Sequence, residues 1–206
     1  MNGGAVPPDL VRGTPVPAPP LRLFVAVPFP AAVRDAVEAA AAPLRSVPGG
    51  HSLRWTDPSA WHLTLAFLGS TDPALVDRLV AALGAVAGGS RPFGARLREQ
   101  AGRSRSGVLW VELVPSAELT ALAAAVAGAV RAVGLPAEQR PYRPHLTFAR
   151  ARRGAPVPRE VVGAYAGPAA SWEVGGFVLL RSHLGGTGKG PRYVELAGFP
   201  LTAAGA

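Results

Sequence analysis

The chain contains no cysteine in its 206 residues. That excludes a disulfide framework, a thiolate nucleophile and a cysteine-based zinc site, and makes a reducing, cytoplasmic setting the expected one. Long apolar runs are also lacking. The longest, Leu119 to Val130, stops at Arg131 and is shorter than the roughly 20 residues a membrane helix needs, so no membrane partner is expected. No basic segment followed by an apolar run opens the chain, and no signal peptide is expected. Acidic residues are scarce, 13 against 21 basic ones, for a net charge of +8. Lysine is scarcer still: Lys189 is the one lysine, and the other basic residues are arginine. Arginine binds phosphate through a planar, two-pronged face, which fits an anionic partner. A composition rich in Ala, Gly, Pro and Arg, of the kind a GC-biased genome produces, accounts for part of the same excess. Histidine occurs four times, as His51, His62, His145 and His183.

What is abundant is apolar: 49% of the residues, enough to bury a sizeable core in one domain or two lobes sharing a core. Met1 to Pro20 holds six prolines and reads as a disordered tail. Order is expected from residue 21 to 206 as a single bilobal domain. LRLFVAVPF from Leu21 is a strand. Pro30 opens a helix over Ala31–Arg45. SLRW is a short strand, Asp57-Pro58-Ser59 a turn, and Trp61–Leu68 a strand. Asp72-Pro73 caps a helix to about Val86. Strands follow near Phe93–Glu99 and Val108–Val114. Ser116 opens an alanine-rich helix that Gly134 stops. A short helix lies within Pro158–Tyr165. SWEVGGFVLLRS and RYVELAGFPL read as two final strands, joined by the glycine-rich loop LGGTGKGP. Helices interspersed among strands of this kind predict an α+β fold of largely antiparallel sheet with helices packed outside.

One short word is written twice. His62-Leu63-Thr64-Leu65-Ala66 recurs 83 residues later as His145-Leu146-Thr147-Phe148-Ala149. On a strand, alternate side chains share a face. Strict alternation puts His62, Thr64 and Ala66 on one face and Leu63, Leu65 and Phe67 on the other. In the second copy His145, Thr147 and Ala149 lie opposite Leu146 and Phe148. A single His-x-Thr on a half-buried strand is ordinary. Its repetition in a histidine-poor chain points to a shared site and to two pseudo-symmetric lobes about a central cleft. Two imidazoles supply an acid and a base near neutral pH, and two hydroxyls supply donors for an oxyanion. No HxxxH pair, carboxylate cluster or cysteine accompanies the histidines, so no metal site and no cofactor is expected. Tyr142 and Arg143, just before the second copy, read equally as a turn or as contacts to a base or phosphate. His51 reads as an exposed loop residue, and Trp55 and Trp61 as core.

The segments RWTDPSAWHLTLAFLG and RPYRPHLTFAR resemble the two signature motifs of the 2H phosphoesterase superfamily. They resemble more closely those of bacterial and archaeal RNA 2′,3′-cyclic phosphodiesterases, long called 2′-5′ RNA ligases. The similarity extends from about Leu21 to Leu201. The first motif carries Ala66 where many relatives carry Lys or another longer residue. The resemblance implies a bilobal fold with the two motif strands facing across a cleft. It implies metal-independent opening of a terminal 2′,3′-cyclic phosphate on RNA, leaving a 2′-phosphate. By it, His62 matches the proton donor and His145 the proton acceptor. Thr64 and Thr147 match the phosphate-binding hydroxyls, and Arg150 an arginine often present in the second motif. The expected partners are RNA ends or small cyclic nucleotides, with the protein a monomer. Alternatives within reach of the same residues are other cyclic phosphodiesters, 2′-5′ ligation of RNA ends, or a non-catalytic module that binds RNA ends.

Overall fold

The computed structural model describes residues 18–138, 140–152, 154–183 and 191–202. Residues 1–17 of the expected tail and residues 184–190 of the glycine-rich loop lie outside the described residues.

Apolar strands dominate the first half of the chain. β1 (Leu21–Pro28) runs antiparallel to β3 (His62–Thr71), which carries the first His-Leu-Thr. Between them lie α1 (Ala31–Ala41), whose Val33, Val37 and Ala41 face inward, and the two-residue strand β2 (Arg54–Trp55). Pro30 stands at the helix N-cap, as its fixed φ allows. Asp72 accepts a hydrogen bond from the Ala74 amide at 2.9 Å and caps a short turn that leads into α2 (Val76–Gly88). β4 (Phe93–Arg103) and β5 (Val108–Leu113) form a hairpin. Ser116 Oγ accepts from the Leu119 amide at 3.1 Å, opening α3 (Ala117–Ala132), and Gly134, with φ of 86°, ends that helical run. β6 (His145–Arg150) carries the second His-Leu-Thr. α4 (Arg159–Ala164), β7 (Ser171–Val174), β8 (Gly176–His183) and β9 (Arg192–Pro200) complete the chain.

The strands form two antiparallel sheets, one ordered β3-β1-β8-β9 and the other β2-β6-β5-β4-β7. This is the α+β, two-sheet arrangement expected. Each motif strand lies in its own sheet. One continuous buried cluster joins both sheets with α1 to α4. Among the described residues no helix is long and apolar enough to cross a membrane.

SWEVGGFVLLRS is two strands in different sheets, not the single strand expected. β7 pairs with β4, and β8 pairs with β1 and β9. The break falls at Gly175-Gly176. A Cβ on Gly176 would stand 2.9 Å from the Phe199 carbonyl oxygen, so the chain crosses between sheets where only glycine fits.

Strict alternation also fails, in the same way in both motifs. Thr64 pairs with Ala26 and Ala66 with Val25, leaving Leu65 without a partner. Thr147 pairs with Trp110 and Ala149 with Leu109, leaving Phe148 without one. Each is a β-bulge one residue after the threonine, which resets the face of everything that follows. Two successive residues therefore point inward, Leu65 with Ala66 and Phe148 with Ala149. Ala66 and Ala149 are core residues rather than the open cleft floor expected. Phe67, expected in the core, is 64% exposed. The sequence pattern buries both Leu65 and Phe67, whereas the bulge buries Leu65 and exposes Phe67. Leu65→Ala should cost about 2–5 kcal/mol of unfolding free energy, and Phe67→Ala less than about 0.5 kcal/mol, as read from denaturant midpoints. A cost at Phe67 comparable to that at Leu65 would contradict the bulge.

Candidate active site

Each motif is reached by a lead-in that fixes its histidine locally. Before β3, Asp57 accepts from the Ser59 amide at 2.8 Å and from Ser59 Oγ at 2.6 Å, winding Pro58–Ala60 into a tight turn. These bonds hold the Asp57 carboxyl below its ordinary range, the side-chain bond contributing most. The turn presents the Ala60 carbonyl to His62, whose Nδ1 lies 2.8 Å from that oxygen. Before β6, Arg143 presents its carbonyl to His145 Nδ1, also at 2.8 Å. The two half-sites thus use the same bond to the residue two positions back. A carbonyl only accepts, so each Nδ1 carries a hydrogen and each Nε2 is left free of that bond. It is a base when the ring is neutral and a donor when the ring is protonated.

The surroundings of the two rings differ. His62 is half-buried, with Phe24 at a centroid distance of 4.8 Å and Tyr193 edge-on at 5.2 Å. Burial pushes its pKa below the ordinary value. The carbonyl of Ala60 partly opposes that shift, and nearby His145 adds to it. His145 is exposed, with Trp110 at 5.8 Å. Its direct cross-strand neighbour is Glu112, which pairs with Arg98 at 3.9 Å. Trp110 lies over Gly102, where a Cβ would come within 2.6 Å of the indole Nε1.

The bulges place the first outward residue after each motif on the face of its histidine and threonine. In β3 that residue is Phe67 and in β6 it is Arg150, both exposed. Thr64 and Thr147 are half-buried. Arg150 lies close enough to Tyr193 to favour its phenolate, as does Arg22, although burial is the larger influence and raises the phenol pKa. Tyr142, expected as either a turn residue or a ligand contact, is packed against the core. Its hydroxyl donates to the Thr64 carbonyl at 3.1 Å. Burial lifts its pKa well above the usual tyrosine range, so it remains a donor. Trp61 belongs to the core, Trp55 is partly buried against it, and His51 is exposed.

The sequence reading did not single out Arg22, Trp110, Glu112 or Tyr193. Trp110 and Glu112 stand where period-two alternation turns outward on β5, which pairs with the second motif strand, whereas Tyr193 on β9 reaches His62 from two strands beyond β1. That alternation was the available signal. Only the strand order reveals that β5 flanks the second motif.

Two predictions follow from this geometry. Tyr142→Phe removes one cross-lobe hydrogen bond and should lower stability by about 0.5–1.5 kcal/mol, measured by denaturant unfolding. His62 has a folded pKa below the unfolded value of about 6.5. The native state then binds fewer protons, so this contribution is fully present above that pH and is lost as pH falls toward the lowered folded value. His62→Gln should therefore flatten the fall in stability between about pH 7.5 and about pH 5.5.

Known proteins match this chain over most of its length. The model of the 2′-5′ RNA ligase superfamily matches residues 26–186. A Thermus thermophilus protein named RNA 2′,3′-cyclic phosphodiesterase is 33% identical over 190 residues, 88% of this chain and 90% of its own length. A Geobacillus stearothermophilus protein of the same name is 30% identical over 191 residues. The match covers 88% of this chain but 57% of that longer relative. Escherichia coli LigT in its apo form superposes with a TM-score of 0.73 at 29% identity, covering 90% of this chain and 99% of LigT. LigT is also known in a complex with 3′-AMP.

Proposed function

The chain belongs to the 2′-5′ RNA ligase superfamily, and on that premise we propose that it opens terminal 2′,3′-cyclic phosphates on RNA, leaving a 2′-phosphate. The observation that carries this reading is the matched pair of Nδ1–carbonyl bonds at His62 and His145. The two bonds leave Nε2 free on each ring, and His145 stands near enough to His62 to lower its pKa. The names of four curated relatives, all RNA 2′,3′-cyclic phosphodiesterases, support the reaction class. The LigT complex with 3′-AMP supports a nucleotide ligand.

In this mechanism neutral His145 takes a proton from water through Nε2. The water oxygen forms the new bond to phosphorus as the bond to the 3′ oxygen breaks. Protonated His62 gives its Nε2 proton to that departing oxygen. Thr64, Thr147 and Arg150 hold the non-bridging oxygens as negative charge grows on them. The roles of the two histidines follow the family resemblance, and their surroundings suit them. A ring whose pKa is depressed by burial is the stronger acid once protonated, and an entering phosphodiester anion favours that protonation. Exposed His145 is open to water. No step requires a metal ion.

The test is an oligoribonucleotide ending in a 2′,3′-cyclic phosphate, with the product phosphate mapped. A 2′-phosphate, undiminished activity in EDTA and a bell-shaped pH profile are expected. His62→Ala and His145→Ala should each lower kcat by about 10²–10⁴-fold. Wild-type turnover in either variant would overturn the acid–base pair, and strict dependence on added metal would overturn the metal-free mechanism.

A further inference from the structure

Two arginines stand directly opposite one another beside the second half-site. Arg54 on β2 is the cross-strand partner of Arg150 on β6. Direct partners on one face of an antiparallel pair have Cβ atoms only about 5 Å apart, and like charges there repel. Both residues are exposed, and neither forms an ion pair or side-chain hydrogen bond among the described residues. The carboxylates that pair with arginine lie elsewhere, at Glu38, Glu99, Glu112 and Glu138. A repulsive pair without a countercharge is the arrangement expected where the countercharge is a ligand.

Its position says which ligand. The bulge at Phe148 puts Arg150 on the face of His145 and Thr147, and cross-strand pairing puts Arg54 on that same face. Trp55, the next residue, turns inward and stacks on Phe148 at 6.1 Å. Thr147 and Arg150 are two ladder steps apart once the bulge is discounted, roughly 7 Å. That is comparable to the separation of neighbouring phosphates on a nucleic-acid strand. Arg150 therefore stands about one such step along β6 from Thr147, with Arg54 beside it on the neighbouring strand.

We infer that Arg54, held across from Arg150, binds the phosphodiester one nucleotide upstream of the reacting end, so that the site is built for oligoribonucleotide ends over mononucleotides. This inference rests on the reading of the site as a cyclic phosphodiesterase. A guanidinium in this position contributes binding without touching the reacting phosphate.

The test compares adenosine 2′,3′-cyclic phosphate with the dinucleotide ApA ending in the same cyclic phosphate. Wild type should favour the dinucleotide in kcat/KM by roughly ten- to hundredfold, the range of a charge-assisted contact. Arg54→Gln should abolish that preference while leaving mononucleotide turnover within about twofold, and Arg54→Lys should restore part of it. A methylphosphonate in place of the internucleotide phosphate should weaken the wild-type enzyme as Arg54→Gln does, and add nothing to the variant. The salt dependence of dinucleotide binding should lose a slope of about 0.7. Equal losses on both substrates, or no wild-type preference for the dinucleotide, would overturn the inference. Failure of the catalytic reading is separable. If wild type turns over neither substrate, binding of ApA carrying a 3′-phosphate still decides: a weaker Kd in Arg54→Gln supports the Arg54 contact, and an unchanged one rejects it.

Discussion

Two half-sites on separate sheets can act together only if each sheet is fixed relative to the other. The structure meets that constraint by making each motif's lead-in part of the opposite half. Arg54 and Trp55, which precede the first motif, pair with the strand of the second, and the Thr56 amide donates to the Phe148 carbonyl at 2.9 Å. Tyr142, which precedes the second motif, reaches back to the Thr64 carbonyl in the first. The exchange is reciprocal, so the lobes cannot separate without breaking backbone pairing close to the histidines. The β7–β8 crossover at Gly175-Gly176 adds a third link through the shared core.

Within this frame the two imidazoles make the same local bond and are surrounded differently. The backbone fixes both tautomers through the same local bond, a device that costs no additional side chain. Difference then arises from what each ring touches. Phe24 and Tyr193 withdraw His62 from water, whereas His145 stays open beside Trp110 and across from Glu112. The lowered pKa of His62 is therefore the work of neighbouring strands, because its desolvation comes from them and not from the motif.

The sequence carried the element order and the pairing of the motifs well, because both are local signals. Proline and aspartate at Pro30 and Asp72, the Ser116 cap and Gly134 all punctuate the chain where expected. Three features were beyond reach for physical reasons. A bulge has no residue signature of its own, so Phe67 and Ala66 were assigned to the wrong faces. The strand break at Gly175 looks like one continuous apolar run until the partners of each half are known. Tyr142 is an aromatic residue in a proline-rich lead-in, equally suited to a turn or to contact with a base or phosphate. Only the proximity of the Thr64 carbonyl identifies its hydroxyl as a tie between lobes.

The paired bulges have a consequence for how such a cleft can change. Each gives its strand two adjacent inward anchors, and the next residue outward is released from packing. Phe67 and Arg150 occupy these released positions, one apolar and one cationic, in otherwise matching frames. Substitution there alters what the cleft offers a ligand without disturbing the folding core. A duplicated half-site built this way can diverge in chemistry one residue at a time while the scaffold stays the same.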